Sequence, residues 1–352
     1  MMTLQETLER IRPLEQADID RALAKWNAVA KPLGSLGLLE DAVTQLCAMT
    51  GSLRPEIKKR CVVMFCADNG VVAECVTQTG SEVTAIVAKY VCTHDTSVCK
   101  MAEIAHADVF PVDMGMVTAV DDSRIWNRRI AAGTQDMLHG PAMTREQAIQ
   151  GIETGIEAAA ELAGRGYGLL ATGEMGIGNS TPATAINCAL FGFAPDEATG
   201  PGAGSDPERV RHKAAIVRRA LEVNAAALKG DGVDILAALG GFELAIMAGI
   251  MLGAASRSLP ILVDGFICSA AYAAAVRICP LVAQYAILSH ASAEPGHVPA
   301  LGALDSGTPL LHLDMRLGEG TGGAVAYHLL RCAVNIFNEM ATFAEAQVDE
   351  GL

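Results

Sequence analysis

The apolar and polar positions of this chain fall into two regimes. In residues 1–57 the apolar side chains recur at helical spacing: Leu4, Leu8, Ile11 and Leu14 are followed by Ile19 and Leu23, and 38–49 forms a further amphipathic stretch. Between them Lys31-Pro32-Leu33-Gly34-Ser35-Leu36-Gly37 is too rich in Pro and Gly for a helix, and reads as a helix connection or a binding loop. From Cys61 onward short apolar runs at 61–67, 107–112, 168–172, 260–263 and 285–288 read as buried strands. Helical patterns at 82–101, 145–163, 184–190 and 209–228 separate them, and 244–255, directly after Glu243, is apolar enough to be a buried helix. Strands alternating with helices predict an α/β protein with a mostly parallel sheet covered on both faces.

The strand ends carry the polar chemistry. The first run is followed by Asp68-Asn69-Gly70, the second by Asp113-Met114-Gly115, and the third by Gly173-Glu174-Met175-Gly176-Ile177-Gly178-Asn179-Ser180-Thr181-Pro182. The fourth ends in Asp264-Gly265 and the fifth in Ser289-His290. In an open parallel sheet these ends share one rim, so remote fragments are expected to line one pocket.

Composition narrows the class. With 352 residues, 51% hydrophobic but only 4% aromatic, the core is filled by Ala, Val, Leu, Ile and Met, with Cys61, Cys66, Cys188 and Cys268 among them. A formal charge of -14 argues against nucleic acid or an anionic membrane as partner. Ten scattered cysteines without a CxxC pair fit reduced thiols and a cytoplasmic location, and the 244–255 run is too short to span a membrane.

Gly173 to Pro182 has the glycines and small donors that a phosphate needs at a strand-to-helix turn, yet it is neither a Walker A loop nor a dinucleotide fingerprint. Thr199-Gly200-Pro201-Gly202-Ala203-Gly204 is a second small-residue loop, and the helix after it offers Lys213 as a point charge. His290, Glu294 and His297 are metal-capable, but Pro295-Gly296 breaks the helix that would align them; hydroxyls reaching phosphate or ribose, such as Ser292, fit better. Near the C-terminus, Arg316-Leu317-Gly318-Glu319-Gly320-Thr321-Gly322-Gly323 sets one carboxylate among glycines. Read alone, it is a turn with Thr321 capping the next helix; shielded from water, Glu319 would instead gain the pKa of a general base.

Together, the 31–37 loop, Ala67-Asp68-Asn69-Gly70-Val71, the 173–182 loop, Val263-Asp264-Gly265-Phe266 and Arg316-Leu317-Gly318-Glu319-Gly320 resemble nicotinate-nucleotide:dimethylbenzimidazole phosphoribosyltransferase, and the resemblance runs over nearly the whole chain. It implies transfer of phosphoribose from nicotinate mononucleotide to an aromatic base in cobamide assembly, with neither metal nor cofactor. Glu319 matches the family's catalytic glutamate and Glu174 a second carboxylate of its site. Gly176, Gly178, Asn179, Ser180 and Thr181 fall in its phosphate and ribose loop, and Gly202, Lys213, Asp264 and Ser292 around the donor. The base pocket maps to Thr79, Ser81, Val87, Met175 and Leu317. The family fold is a three-layer Rossmann-like domain, here 58–300, plus a small helical domain from both chain ends, here 1–57 and 301–352. Its homodimer shares active sites, and a heterodimer with a non-catalytic, nucleotide-binding or regulatory paralogue is the alternative. Members best known for dimethylbenzimidazole tend to carry Ser-Pro near Thr79-Gly80 and Gln near Val87, so the departure here leaves the acceptor open among benzimidazoles, purines and phenols.

Overall fold

The computed structural model describes residues 2–57 and 59–348; the boundary drawn at Lys58 and the extreme termini lie outside them. In chain order the elements are α1 (Leu4–Leu8), α2 (Gln16–Ala28), α3 (Leu38–Thr50), β1 (Arg60–Ala67), α4 (Glu82–Cys92), α5 (Ser97–Ala105), β2 (Asp108–Gly115), β3 (Trp126–Asn127) and α6 (Arg145–Gly164). Then come β4 (Leu169–Met175), α7 (Ser180–Phe191), α8 (Pro195–Ala198), α9 (Pro207–Val223), α10 (Gly232–Leu239), α11 (Phe242–Ala255), β5 (Ile261–Val263) and α12 (Phe266–Ile278). The chain closes with β6 (Ala286–Leu288), β7 (His290–Ala291), α13 (His297–Ala303), β8 (Leu311–His312), α14 (Thr321–Glu339) and α15 (Phe343–Ala346).

Six parallel strands form one sheet in the order β3-β2-β1-β4-β5-β6, with β7 and β8 as a separate two-stranded ribbon. Every residue of β1 is buried, which is why its sequence is a continuous apolar run rather than an alternation. One helical group, α11 with α6 and α12, and another, α14 with α5 and α3, cover the sheet. All of α11 is buried, as its uninterrupted apolarity predicts. Glycines let α6 and α11 touch backbone to backbone: a methyl group on Gly155 would sit 2.2 Å from the Ile246 carbonyl oxygen. Among the described residues no helix is long and apolar enough to cross a membrane.

Three expectations need correction. The helical spacing of Leu4, Leu8, Ile11 and Leu14 forms a helix only to Leu8, and Ile11 and Leu14 lie in the irregular segment before α2. The helical stretch 82–101 is two helices, separated at Thr93-His94-Asp95-Thr96, where His94 turns left-handed (φ +60°) and Thr96 caps α5. Apolar spacing continues across the break, through Val91, Cys92, Val98 and Cys99, all buried, so periodicity alone runs on through it. Thr321 is not a cap but the first residue of α14, which Gly320 caps in a left-handed conformation.

The two chain ends meet. Trp26 packs on Phe337 with centroids 4.8 Å apart, and Val29 bridges Thr342. The 31–37 loop is pinned by a buried Lys31–Glu40 ion pair of 2.6 Å, whose carboxylate also accepts the Leu36 N–H.

Candidate active site

The carboxyl ends of β4 and β5 open into a cleft of about 280 Å³. It gathers nearly all the residues singled out in the sequence: Glu319 and Glu174; Gly176, Gly178, Asn179 and Ser180; Gly202, Lys213, Asp264 and Ser292; Thr79, Val87, Met175 and Leu317. Ser81 and Thr181 do not line it. Thr181 is buried in the first turn of α7, and Ser81 is the residue that precedes α4.

Glu319 is placed by backbone geometry. Gly318, Glu319 and Gly320 have φ of +90°, +62° and +89°, three successive left-handed residues of which only the middle one carries a side chain. Holding a non-glycine there costs on the order of 1–2 kcal/mol, a local strain characteristic of functional positions. The loop lies on the end of β4: the Glu319 N–H donates to the Glu174 carbonyl at 3.3 Å, and a methyl group on Gly173 would fall 2.5 Å from the Glu319 carbonyl oxygen. On the other side the Glu319 carboxylate accepts the Val98 N–H at 3.1 Å, at the start of α5. The helix break at 93–96 therefore delivers an N-terminus to this acid. Burial raises the Glu319 pKa above the ordinary carboxylate range, with the Val98 and Ser97 amides opposing and the Asp264 charge adding to the rise.

Glu174 is deeper, 6% exposed, and accepts a hydrogen bond from the Asn179 carboxamide. Burial pushes its pKa up to about 8, against that hydrogen bond and with help from the negative charges of Asp264, Glu243 and Glu319. Of the two, Glu174 is the more readily protonated, while Glu319, more open and backed by a helix start, is the better placed to be ionised. Gly318 makes room for the pair, since a methyl group there would meet Glu174 Oε1 at 2.2 Å.

The opposite end of the cleft is an anion cradle. Gly176, Gly178, Asn179 and Ser180 lead into α7, whose unsatisfied N–H groups and dipole suit a phosphate. Lys213, 2% exposed, donates to Ser180 Oγ and to the Gly200 carbonyl, each at 3.0 Å. Burial lowers its pKa to about 8, opposed by Glu294. Glu294 accepts the Gly202 N–H at 2.9 Å, and Arg316 donates to the Gly202 carbonyl at 2.8 Å, so the 200–205 loop is tied to both. Asp264 accepts the Gly323 N–H at 3.0 Å beside the start of α14 and faces His290 Nδ1 at 3.7 Å; its pKa is raised by burial against the pull of His290. Nearby, His297 Nδ1 accepts the Ser292 N–H at 2.7 Å and Nε2 meets Ser269 Oγ at 2.9 Å. Both ring nitrogens are therefore engaged, and burial lowers this imidazole to about 3, so it is a neutral brace for the Ser292 turn.

The remaining end of the cleft is aliphatic, with Val87 from α4, Met175 from the end of β4, and Val76 and Leu317 from loops, and with Thr77, Gln78 and Thr79 beside them. Leu317 is 58% exposed. Residues of the site not singled out from sequence are the Ser97 and Val98 amides, Ser205 and Ile267; only the Thr96-Ser97 pair, a helix-start signal after Asp95, left a trace that could have been read.

A glycine-built phosphate cradle beside a pair of carboxylates with raised pKa values, at the rim of a parallel sheet, defines a nucleotide-handling transferase, and a family model described as phosphoribosyltransferase matches residues 11–348. Nicotinate-nucleotide–dimethylbenzimidazole phosphoribosyltransferase from Solidesulfovibrio magneticus is 44% identical over 351 residues, covering 99% of each chain. The protein of the same name from Ruminiclostridium cellulolyticum is 41% identical over 349 residues, also 99% of each. The crystal structure of nicotinate-nucleotide-dimethylbenzimidazole phosphoribosyltransferase from Thermus thermophilus superposes with a TM-score of 0.89 at 36% identity, over 96% of this chain and 100% of that one. The chain belongs to the nicotinate-nucleotide–dimethylbenzimidazole phosphoribosyltransferase family.

Proposed function

We propose that the cleft transfers the phosphoribosyl group of nicotinate mononucleotide to a lower-ligand base, giving the α-ribotide and nicotinate. The observation that carries this reading is the meeting of Glu319 with Glu174, 6% exposed, in a cleft whose far end is lined by the glycine loop before α7 and Lys213. The donor's phosphate lies on Gly176 to Ser180 with Lys213 as its charge partner, and Asp264 and Ser292 flank the ribose. The glycosidic C–N bond to the pyridinium breaks and leaves neutral-ring nicotinate, while a nitrogen of the acceptor bonds the anomeric carbon from the opposite face. Inversion turns a β-linked donor into an α-linked product. Glu319 takes the proton from the acceptor's other nitrogen, or from the hydroxyl of a phenol. Glu174, holding its own proton, orients the acceptor and keeps a second negative charge out of the cleft.

The acceptor is 5,6-dimethylbenzimidazole or a related benzimidazole, purine or phenol, held against Met175, Val87 and Leu317 with Thr79 at the rim. The larger unit spans 58–300 and the smaller 1–57 with 301–352, and the enzyme works in the cytoplasm as a homodimer. The 31–37 loop, which carries Leu33 at 68% exposure and does not line its own cleft, reaches the partner's site. The test mixes the protein with nicotinate mononucleotide and each base in turn and follows nicotinate and ribotide by mass spectrometry. Ribotide with at least one base is expected. Failure with every base overturns the reading, and binding without conversion favours a regulatory subunit.

A further inference from the structure

Below the cleft lies a buried pair that the reaction as described does not use. Glu243, in the first turn of α11, is fully buried, and Asn69, just after β1, is 2% exposed. Asn69 Nδ2 donates to Glu243 Oε1 at 2.9 Å. The other two atoms of the pair, Asn69 Oδ1 and Glu243 Oε2, are buried without a hydrogen-bond partner. They lie together: a methyl group on Gly241 would be 2.6 Å from the first and 2.4 Å from the second. With an ionised carboxylate they are two acceptors facing each other in an apolar interior, which is costly. Turning the carboxamide over exchanges its atoms and leaves one such pair, so reorientation does not remove the conflict.

We propose that Glu243 carries a proton in the working enzyme and closes a two-bond ring with the Asn69 carboxamide, making Glu243 a positioning residue for the phosphate-loop side of the cleft. The Oε2–H donates to Asn69 Oδ1, and both orphaned atoms are satisfied at once. The ring acts through Gly176, wedged between two carboxamides: a methyl group there would meet Asn179 Nδ2 at 3.2 Å and Asn69 Nδ2 at 3.3 Å. Asn179 in turn holds Glu174. Asn69 also begins the Gly70–Glu74 turn that leads to Val76 at the acceptor end. Burial raises Glu243 to about 7, with Asn69 and its own N–H opposing and the Asp68 charge adding to the rise. Glu174, from β4, is the other acid in electrostatic reach, and Asp113 of β2 acts on Asp68. On its other side α11 meets apolar groups, Ile152 and Ile156 of α6 and Cys268 of α12.

This inference rests on the proposed transferase reading for its activity arm but not for its stability arm. Glu243→Gln rebuilds the ring with an amide in place of the acid, and Glu243→Leu leaves Asn69 unpaired. Turnover of Glu243→Gln is expected within about threefold of wild type, and that of Glu243→Leu at least tenfold lower. Glu243→Gln falling as far as Glu243→Leu would overturn the positioning role. The stability arm needs no substrate. The folded-state pKa lies above the unfolded value of about 4.3, so the contribution is full below the unfolded value and disappears as pH rises through the folded one near 7. The melting temperature of wild type relative to Glu243→Gln should therefore drop between pH 5 and pH 8. A difference that stays flat across that range overturns the protonated ring. Wild-type protein inactive with every acceptor defeats only the transferase reading.

Discussion

The two ends of the cleft are built by different means. At the donor end Lys213, Glu294, Arg316 and the 200–205 loop are cross-linked by hydrogen bonds of 2.8 to 3.0 Å, on charged groups that are mostly buried. At the acceptor end the walls are Val76, Val87, Met175 and Leu317, which bound a space without specifying a hydrogen-bond pattern. In the proposed reaction, that difference would let one end fix what is transferred while the other limits the shape of what receives it. Shape-limited pockets discriminate weakly between ligands of similar size, whereas buried polar partners discriminate strongly.

The sharpest way to break this division is to remove basicity without changing shape. Glu319→Gln is expected to lower kcat by roughly a thousandfold while the donor still binds, read by turnover and by calorimetry with nicotinate mononucleotide. Unchanged turnover would take Glu319 out of the proton step. Next comes the cradle. Lys213→Met keeps much of the side chain's volume and removes its charge, and should raise the donor KM roughly 30-fold, the value of about 2 kcal/mol for a hydrogen bond to a charged group, with little change in acceptor KM. An equal rise for both substrates would mean that the two ends are not separable. The smallest effect is the most informative about the acceptor. Val87→Gln places a polar side chain in the aliphatic wall, and should shift the ratio of kcat/KM for a benzimidazole over a phenol about fivefold, near the value of one neutral hydrogen bond.

The same contrast governs how much was legible beforehand. The donor end is written in local sequence: a strand, then glycines, then the start of α7, with Lys213 on the following long helix, so the motif carries its own geometry. The rim was readable because continuous apolar runs such as that of β1 announce parallel strands, and parallel strands align their ends. What escaped reading was set by distant contacts. Nothing in the spacing of Val91, Cys92, Val98 and Cys99 reveals that the helix stops at Thr93 and restarts at Ser97, yet that restart supplies the amide to Glu319. Ser81 and Thr181 carried suitable chemistry at suitable positions, yet Ser81, just before α4, and Thr181, fully buried in α7, do not line the cleft. Glu243 looked like the polar edge of a buried helix, because its partner Asn69 is 174 positions away.

The contact between Gly173 and the Glu319 carbonyl has a mechanical meaning. Because the 318–320 turn rests directly on β4 and is bonded to the Glu174 backbone, both acids ride on the same piece of the sheet. Any displacement of β4 would carry both carboxyl groups together, so their spacing is a property of the sheet and not of the loops around it. The pair behaves as a fixed anvil, seated on the strand and not on the loops.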